Sequence, residues 1–148
     1  MTPEMPIELA YLTLERVPAA AEVERTCLST AWSEAQLANL PPEAVYLTAL
    51  IDGVVCGIGC LYCVAGEAEL QNLAVLPAYR RRGVAQELLT ALFAEARKRN
   101  CESVFLEVAA GNRAAQTLYR KNGFVPVGRR PGFYRGEDAV LMKKGPEI

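Results

Sequence analysis

The sequence predicts an α/β fold in which a central, mixed but mostly antiparallel sheet is flanked by helices. Three observations carry that reading. Apolar, β-rich runs at residues 45–51 and 54–64 flank Asp52-Gly53, a two-residue turn of the kind that closes hairpins. Val84, Leu88, Leu92, Phe93 and Ala96 recur at helical spacing, which marks an amphipathic helix over residues 84–100. Strand, helix, strand and helix then alternate, which implies neighbouring parallel strands joined by a right-handed crossover. At 148 residues, 51% hydrophobic and 22% charged, the chain has the length and composition of one domain, residues 1–148, able to bury a core without disulfide or metal staples.

Each element follows from its local chemistry. Residues 7–14 alternate weakly and read as a first strand. Pro18 suits the first turn of a helix that runs through Val23, Cys27 and Leu28. Ser33 is a good N-cap for a short second helix, with Gln36 at the capping-box position, Leu37 and Leu40 on its apolar side, and Pro41-Pro42 as its stop. After the hairpin, Ala65-Gly66 turns the chain into a strand at residues 69–76 that ends at Pro77. Residues 103–108 form a short buried strand. Asn112 caps a helix over residues 113–122, and Gly123 supplies its left-handed end. Residues 124–128 and 139–143 close the fold as strands, joined by the segment 130–136.

Composition excludes several functions. The longest uncharged stretch, residues 53–66, is shorter than the about 20 apolar residues that span a bilayer. The first residues lack the basic-then-apolar order of a secretory signal, so a cytoplasmic protein with no membrane partner is expected. The absence of histidine removes Ser-His and Cys-His nucleophilic pairs and the commonest metal ligand. Five cysteines without framework spacing read as free thiols. Cys60-x-x-Cys63 has no second pair, so no metal is expected.

Charge is uneven along the chain. Residues 1–78 hold ten acids and two bases, and residues 79–148 hold fourteen Lys and Arg against seven acids; the halves therefore carry −8 and +7, giving the overall −1. A basic half suits an anion, and an acidic half suits a cationic acceptor; solvated surface charge is the alternative. Aromatic residues are sparse among the bases and the pI is about 5.6, so no direct nucleic-acid partner is expected.

The anion has a natural seat. The strand at residues 71–75 leads into Pro77-Ala78-Tyr79-Arg80-Arg81-Arg82-Gly83-Val84-Ala85 and then the long helix. A glycine turn at a helix N-terminus presents unpaired backbone N–H groups and the positive end of the dipole, a geometry suited to pyrophosphate. Neither a G-x-G-x-x-G fingerprint nor a P-loop is present, and an ordinary strand-to-helix turn with exposed bases is the alternative.

Arg80-x-x-Gly83-x-Ala85 after an apolar strand resembles the acyl-CoA pyrophosphate signature of the GNAT acetyltransferase superfamily. The resemblance spans about residues 69–142, through Asn72-Leu73-Ala74-Val75, Leu106-Glu107-Val108, Asn112-x-x-Ala115, Leu118-Tyr119, Gly123-Phe124 and Glu137-Asp138-Ala139, with Trp32-Ser33-Glu34 upstream. The set is most similar to the ribosomal-protein-alanine N-acetyltransferases, which acetylate a protein α-amino group.

The resemblance implies a sheet whose parallel strand pair splays at the cofactor site, and acetyl-CoA as cosubstrate without a metal. Leu73, Ala74 and Val75 would present backbone groups to the acetyl and pantetheine arm. Arg81, Arg82, Gly83, Val84, Ala85 and Gln86 would cradle the pyrophosphate, and Asn112 would contact the arm. Glu107 matches the family's general base and Tyr119 its general acid. The residues agree with these roles. Glu107 is a lone acid in an apolar strand, a position that is usually paired or functional. Tyr119 lies close to two turns after Asn112, so both side chains project along one helix face. The alternatives are a Glu107 paired with an arginine and a core Tyr119. Trp32, Glu34 and Tyr134 are candidates for the acceptor rim, with a core role the alternative for Trp32. A protein N-terminus, such as that of a ribosomal protein, is the expected acceptor; a small amine, or a non-catalytic acetyl-CoA-binding module, is the alternative.

Overall fold

The computed structural model describes residues 5–134 and 136–145, with the side chain of Tyr134 outside that description. In chain order the elements are β1 (Ile7–Tyr11), α1 (Val17–Cys27), α2 (Glu34–Ala38), β2 (Ala44–Ile51), β3 (Val54–Val64), β4 (Glu67–Val75), α3 (Val84–Lys98), β5 (Ser103–Ala109), α4 (Arg113–Lys121), β6 (Val125–Tyr134) and β7 (Glu137–Lys144). The strands form one seven-stranded sheet in the order β1-β2-β3-β4-β5-β7-β6. Every neighbouring pair is antiparallel except β4–β5, the parallel pair joined through α3.

The turns form for the predicted reasons. Asp52 (φ 51°) and Gly53 (φ 75°) are both left-handed, as are Ala65 (φ 52°) and Gly66 (φ 82°) in the next turn. Two consecutive residues of this kind make the turn that matches strand twist in two-residue hairpins. Ser33 and Gln36 make the reciprocal capping box at the start of α2. Asn112 Oδ1 accepts from the Ala115 N–H at 3.1 Å and starts α4, and Gly123 leaves it at φ 93°.

Two expectations need correction. The first strand stops at Tyr11 rather than Leu14, because Leu14–Arg16 coil into a 3-10 turn that feeds α1. The segment 130–136 is not a loop between short strands: β6 continues to Tyr134 and pairs with β7 across irregularities at Pro126/Gly128 and Arg130/Tyr134.

Packing divides the core between the two faces of the sheet. On one face the fully buried Leu88, Leu89 and Leu92 of α3 pack with Leu61, Val104, Phe124 and Met142. Gly57 and Gly59 on β3 let α3 lie close: a Cβ added at either would stand 2.9 Å from Val84 or Leu92, an overpacking that costs about 1–3 kcal/mol. On the other face α1 and α2 cover Tyr46, Ile58 and Cys60. The helices leave the β5-β7-β6 end of that face open. Among the described residues no helix is long and apolar enough to cross a membrane.

The thiols are part of this packing. Burial pushes the Cys56 thiol up, and pushes Cys60 from its ordinary 9.0 up to about 12. A thiol whose folded value is raised stabilises the fold fully below its unfolded value and loses that contribution as pH climbs through the folded value. The melting temperature is therefore expected to fall between about pH 9 and 12, and less steeply in Cys60→Ala. Thermal melts across that range check it; equal slopes for the two proteins would contradict it.

Candidate active site

A cavity of about 500 Å³ lies where β4 ends, α3 begins and α4 crosses. Leu73, Ala74 and Val75 line it from β4. Gly83, Val84, Ala85 and Gln86 line it from the first turn of α3, preceded by Arg80 and Arg81. Asn112, Ala115 and Tyr119 line it from α4. The Asn112–Tyr119 spacing does place both residues on one wall. Among the described residues no acid lines the cavity, while Arg80, Arg81 and Lys121 do. The wall thus combines an apolar floor with a cationic mouth, which fits a molecule with an apolar arm and a phosphorylated head.

The turn before α3 leaves its amides uncapped and open. Arg81 (φ 65°) and Gly83 (φ 83°) are both left-handed. A non-glycine residue held there costs about 1–2 kcal/mol, and such strain concentrates at ligand clamps. Gly83 is the N-cap, no side chain caps the helix, and the first-turn N–H groups have no intrahelical partner. A Cβ at Gly83 would meet nothing within 4 Å, so the space in front of the turn is open. Arg80 braces the turn: its Nε donates to the Val75 carbonyl at 3.0 Å. Gln86 and Asn122 exchange amide hydrogen bonds of 2.7 and 3.0 Å, locking α3 to the end of α4.

Two predicted site residues are not in the cavity wall. The Arg82 guanidinium lies over the Tyr79 ring, 5.3 Å from its centroid. Glu107 lies on the opposite face of β5 from Leu106 and Val108, with 19% of its side chain exposed, and its Oε1 is 2.7 Å from Nη2 of Arg130. The arginine pairing weighed from the sequence is thus present, and the Arg130 guanidinium also covers Phe133, 4.9 Å from the ring centroid. Tyr119 belongs to the core and to the cavity at once: it is 9% exposed and meets Phe124 edge-on at 5.7 Å. Trp32 is half-buried and stacks on Tyr62 at 6.1 Å, with Tyr46 at 6.3 Å, so it packs against the core and keeps one side open. Glu34 is exposed in the first turn of α2. The rim role expected of Tyr134 falls on a side chain outside the described residues.

The sheet breaks between β4 and β5. β4 and β5 pair only at Glu67↔Ser103, Ala68↔Val104 and Glu69↔Phe105. Beyond that point β4 stays with β3 through Val75 and β5 stays with β7 through Ala109. The pair therefore splays immediately before Leu73–Val75 on one strand and Glu107 on the other. The gap separates Leu73–Val75, which line the cavity between α1 and α3, from Glu107 on β5.

Sequence reasoning missed the cavity residues Cys27, Leu28 and Lys121, and the partner residue Arg130. Cys27 and Leu28 come from α1, and only tertiary packing brings them to β4; no local pattern signals it.

Residues 10–124 match the model of the acetyltransferase (GNAT) family. The chain belongs to that family. It is therefore an acyltransferase with the splayed mixed sheet of the GNAT fold. It is 35% identical over 140 residues to the [ribosomal protein bS18]-alanine N-acetyltransferase of Escherichia coli (strain K12), covering 90% of this chain and 94% of that one. The crystal structure of the ribosomal-protein-S18-alanine N-acetyltransferase from Escherichia coli superposes with a TM-score of 0.87 at 31% identity, over 97% of this chain and 96% of that one. The PaiA N-acetyltransferase of Thermoplasma acidophilum, solved with coenzyme A, shares the fold at a TM-score of 0.76 and 22% identity, over 95% of this chain and 99% of that one.

Proposed function

We propose that this GNAT chain transfers an acetyl group from acetyl-CoA to the N-terminal α-amino group of a ribosomal protein in the cytoplasm, by direct attack within a ternary complex. The observation that carries the reading is the splayed gap, with a phosphate-type cavity on one side and the Glu107 carboxyl on the other. Relatives named for the alanine N-terminus of bS18 support the choice of acceptor.

Acetyl-CoA supplies an activated thioester, and the protein's own groups do the rest. The amides of the Gly83 turn and first helical turn hold the diphosphate, with Arg81 beside them. Leu73–Val75, unpaired on the β5 side, offer backbone groups to the arm, and an N–H near Val75 stabilises the oxyanion. Glu107 takes the proton of the incoming ammonium. An α-amine with a pKa of about 7.7–8.0 is partly neutral already, so one carboxylate suffices, whereas a lysine near 10.4 would need far more help. Tyr119 donates its phenolic proton to the departing sulfur.

A cysteine-bound intermediate is disfavoured. Burial raises Cys56 and takes Cys60 to about 12; burial and then the neighbouring Cys101 take Cys63 to about 11. These three remain thiols at neutral pH, and the sequence has no histidine to activate any cysteine.

Tyr119→Phe is expected to lower kcat by about 10²-fold while the ring keeps its packing against Phe124. Steady-state kinetics beside a thermal melt check it; an unchanged kcat would remove the phenol from the reaction. The acceptor is tested by mass spectrometry of acetyl-CoA reactions with N-terminal peptides, lysine side chains and small amines. Acetyl groups on peptide α-amines are expected. Turnover confined to small amines would contradict the acceptor, and tight acetyl-CoA binding without turnover would contradict catalysis.

A further inference from the structure

Glu24 is the only buried acid among the described residues, at 0% exposure. Its carboxyl group accepts four hydrogen bonds: from the Trp32 backbone N–H at 3.0 Å, from the Tyr46 hydroxyl at 2.7 Å, and from the Asn72 amide at 2.9 Å to each oxygen. All of these donors are neutral. An apolar side chain would fill the same volume without burying a carboxyl group on side-chain and backbone donors alone. The role of the acid lies in what the four bonds hold together.

They join the two facing walls of the cavity. Asn72 immediately precedes Leu73–Val75, the β4 wall. Glu24 stands one turn before Cys27 and Leu28, the opposite wall, and its carbonyl accepts the Leu28 N–H at 2.8 Å, ending α1. Trp32 closes the segment that leaves this wall. At the contact between walls the Cys27 Sγ is 3.5 Å from the Val75 carbonyl oxygen. Tyr46 keeps its donor proton throughout, because burial and then the hydrogen bond to Glu24 hold its phenol far above the ordinary range.

We infer that Glu24 is a positioning residue: its carboxyl group braces the end of α1 and the Trp32 segment against β4, and so sets the width of the cavity where the acyl group meets the acceptor. The inference rests on the acetyl-transfer reading above. Misplacement of reacting groups by about 1 Å can cost on the order of 10²-fold in rate, so a loosened brace reads out in acceptor turnover. Affinity for coenzyme A is set mainly at the diphosphate turn and stays nearly unchanged.

The test compares the unaltered protein with Glu24→Gln and Asn72→Ala. Gln keeps the shape but replaces an acceptor oxygen with an NH2 that faces donors. Trp32 is the sole tryptophan, so its fluorescence reports the brace directly and without turnover. In Glu24→Gln we expect kcat/KM for the acceptor to fall at least about tenfold, coenzyme A affinity to stay within about twofold, and Trp32 emission to move to the red with greater acrylamide quenching. Asn72→Ala is expected to do the same to a smaller degree, and the double variant to be no worse than Glu24→Gln alone. If Glu24→Gln does not fold, Asn72→Ala carries the test. Folded variants with a lower melting temperature but unchanged acceptor kinetics, or unchanged Trp32 emission, would overturn the inference. Kinetics use whichever amine the unaltered protein acetylates. Absence of any turnover by the unaltered protein counts against the functional reading alone, and Trp32 emission then decides the brace.

Discussion

Glu107→Gln is expected to cut kcat/KM for the acceptor amine by about 10²–10⁴-fold at neutral pH, the range a positioned general base contributes. The substitution is conservative for the fold. Gln can still accept from Arg130, and an ion pair this open to solvent contributes roughly 0–1 kcal/mol. The deficit should also depend on pH in a definite direction. The acceptor α-amine loses its own proton near about 7.7–8.0, so the variant should recover relative to the unaltered protein as pH rises through that range. A pH series of kcat/KM measures both effects. A constant ratio would mean that Glu107 is a structural partner of Arg130 and that another group takes the proton.

The second large effect is expected at the turn before α3. Gly83→Val puts a branched side chain into the open space in front of the first-turn amides, at a left-handed φ of 83°. The strain costs the fold about 1–2 kcal/mol. Its Cβ would meet no protein atom within 4 Å, so the main cost to stability is the backbone strain. Binding should suffer far more, because the same volume is where a diphosphate would sit on the helix end. A loss of at least about 10²-fold in coenzyme A affinity, from a protein that still melts cooperatively, is the expected result. Equal affinity in the folded variant would mean that the diphosphate is held elsewhere.

The parts of this molecule legible in its sequence are those fixed by local chemistry. Ser33 and Gln36 announce a capping box, Asp52-Gly53 announces a left-handed turn, and the Val84–Leu88–Leu92 stripe announces a helix that buries one face. Leu73–Val75, Arg81, Gly83–Gln86, Asn112 and Tyr119, which the resemblance to the GNAT acetyltransferases implies as site residues, all line the cavity. The later half of β6 was not readable. Pro126, Gly128, Pro131 and Gly132 break its alternation, and only an edge strand tolerates them; its pairing with β7 is a tertiary fact. Arg82 was grouped with its neighbours by sequence, yet the cation–π contact with Tyr79 draws it out of the wall. Glu24 reads as an ordinary helix acid, since the donors that converge on it come from residues 8, 22 and 48 positions away.

In the proposed reaction the Gly83 turn and the cavity behind it seat a coenzyme diphosphate and aim its thioester through the β4–β5 gap. Isothermal titration of acetyl-CoA into the folded protein tests that claim before any acceptor is chosen. Saturable binding with one molecule per chain, weakened by Gly83→Val and untouched by Glu107→Gln, is the predicted result. No heat and no saturable uptake of acetyl-CoA or coenzyme A would contradict it.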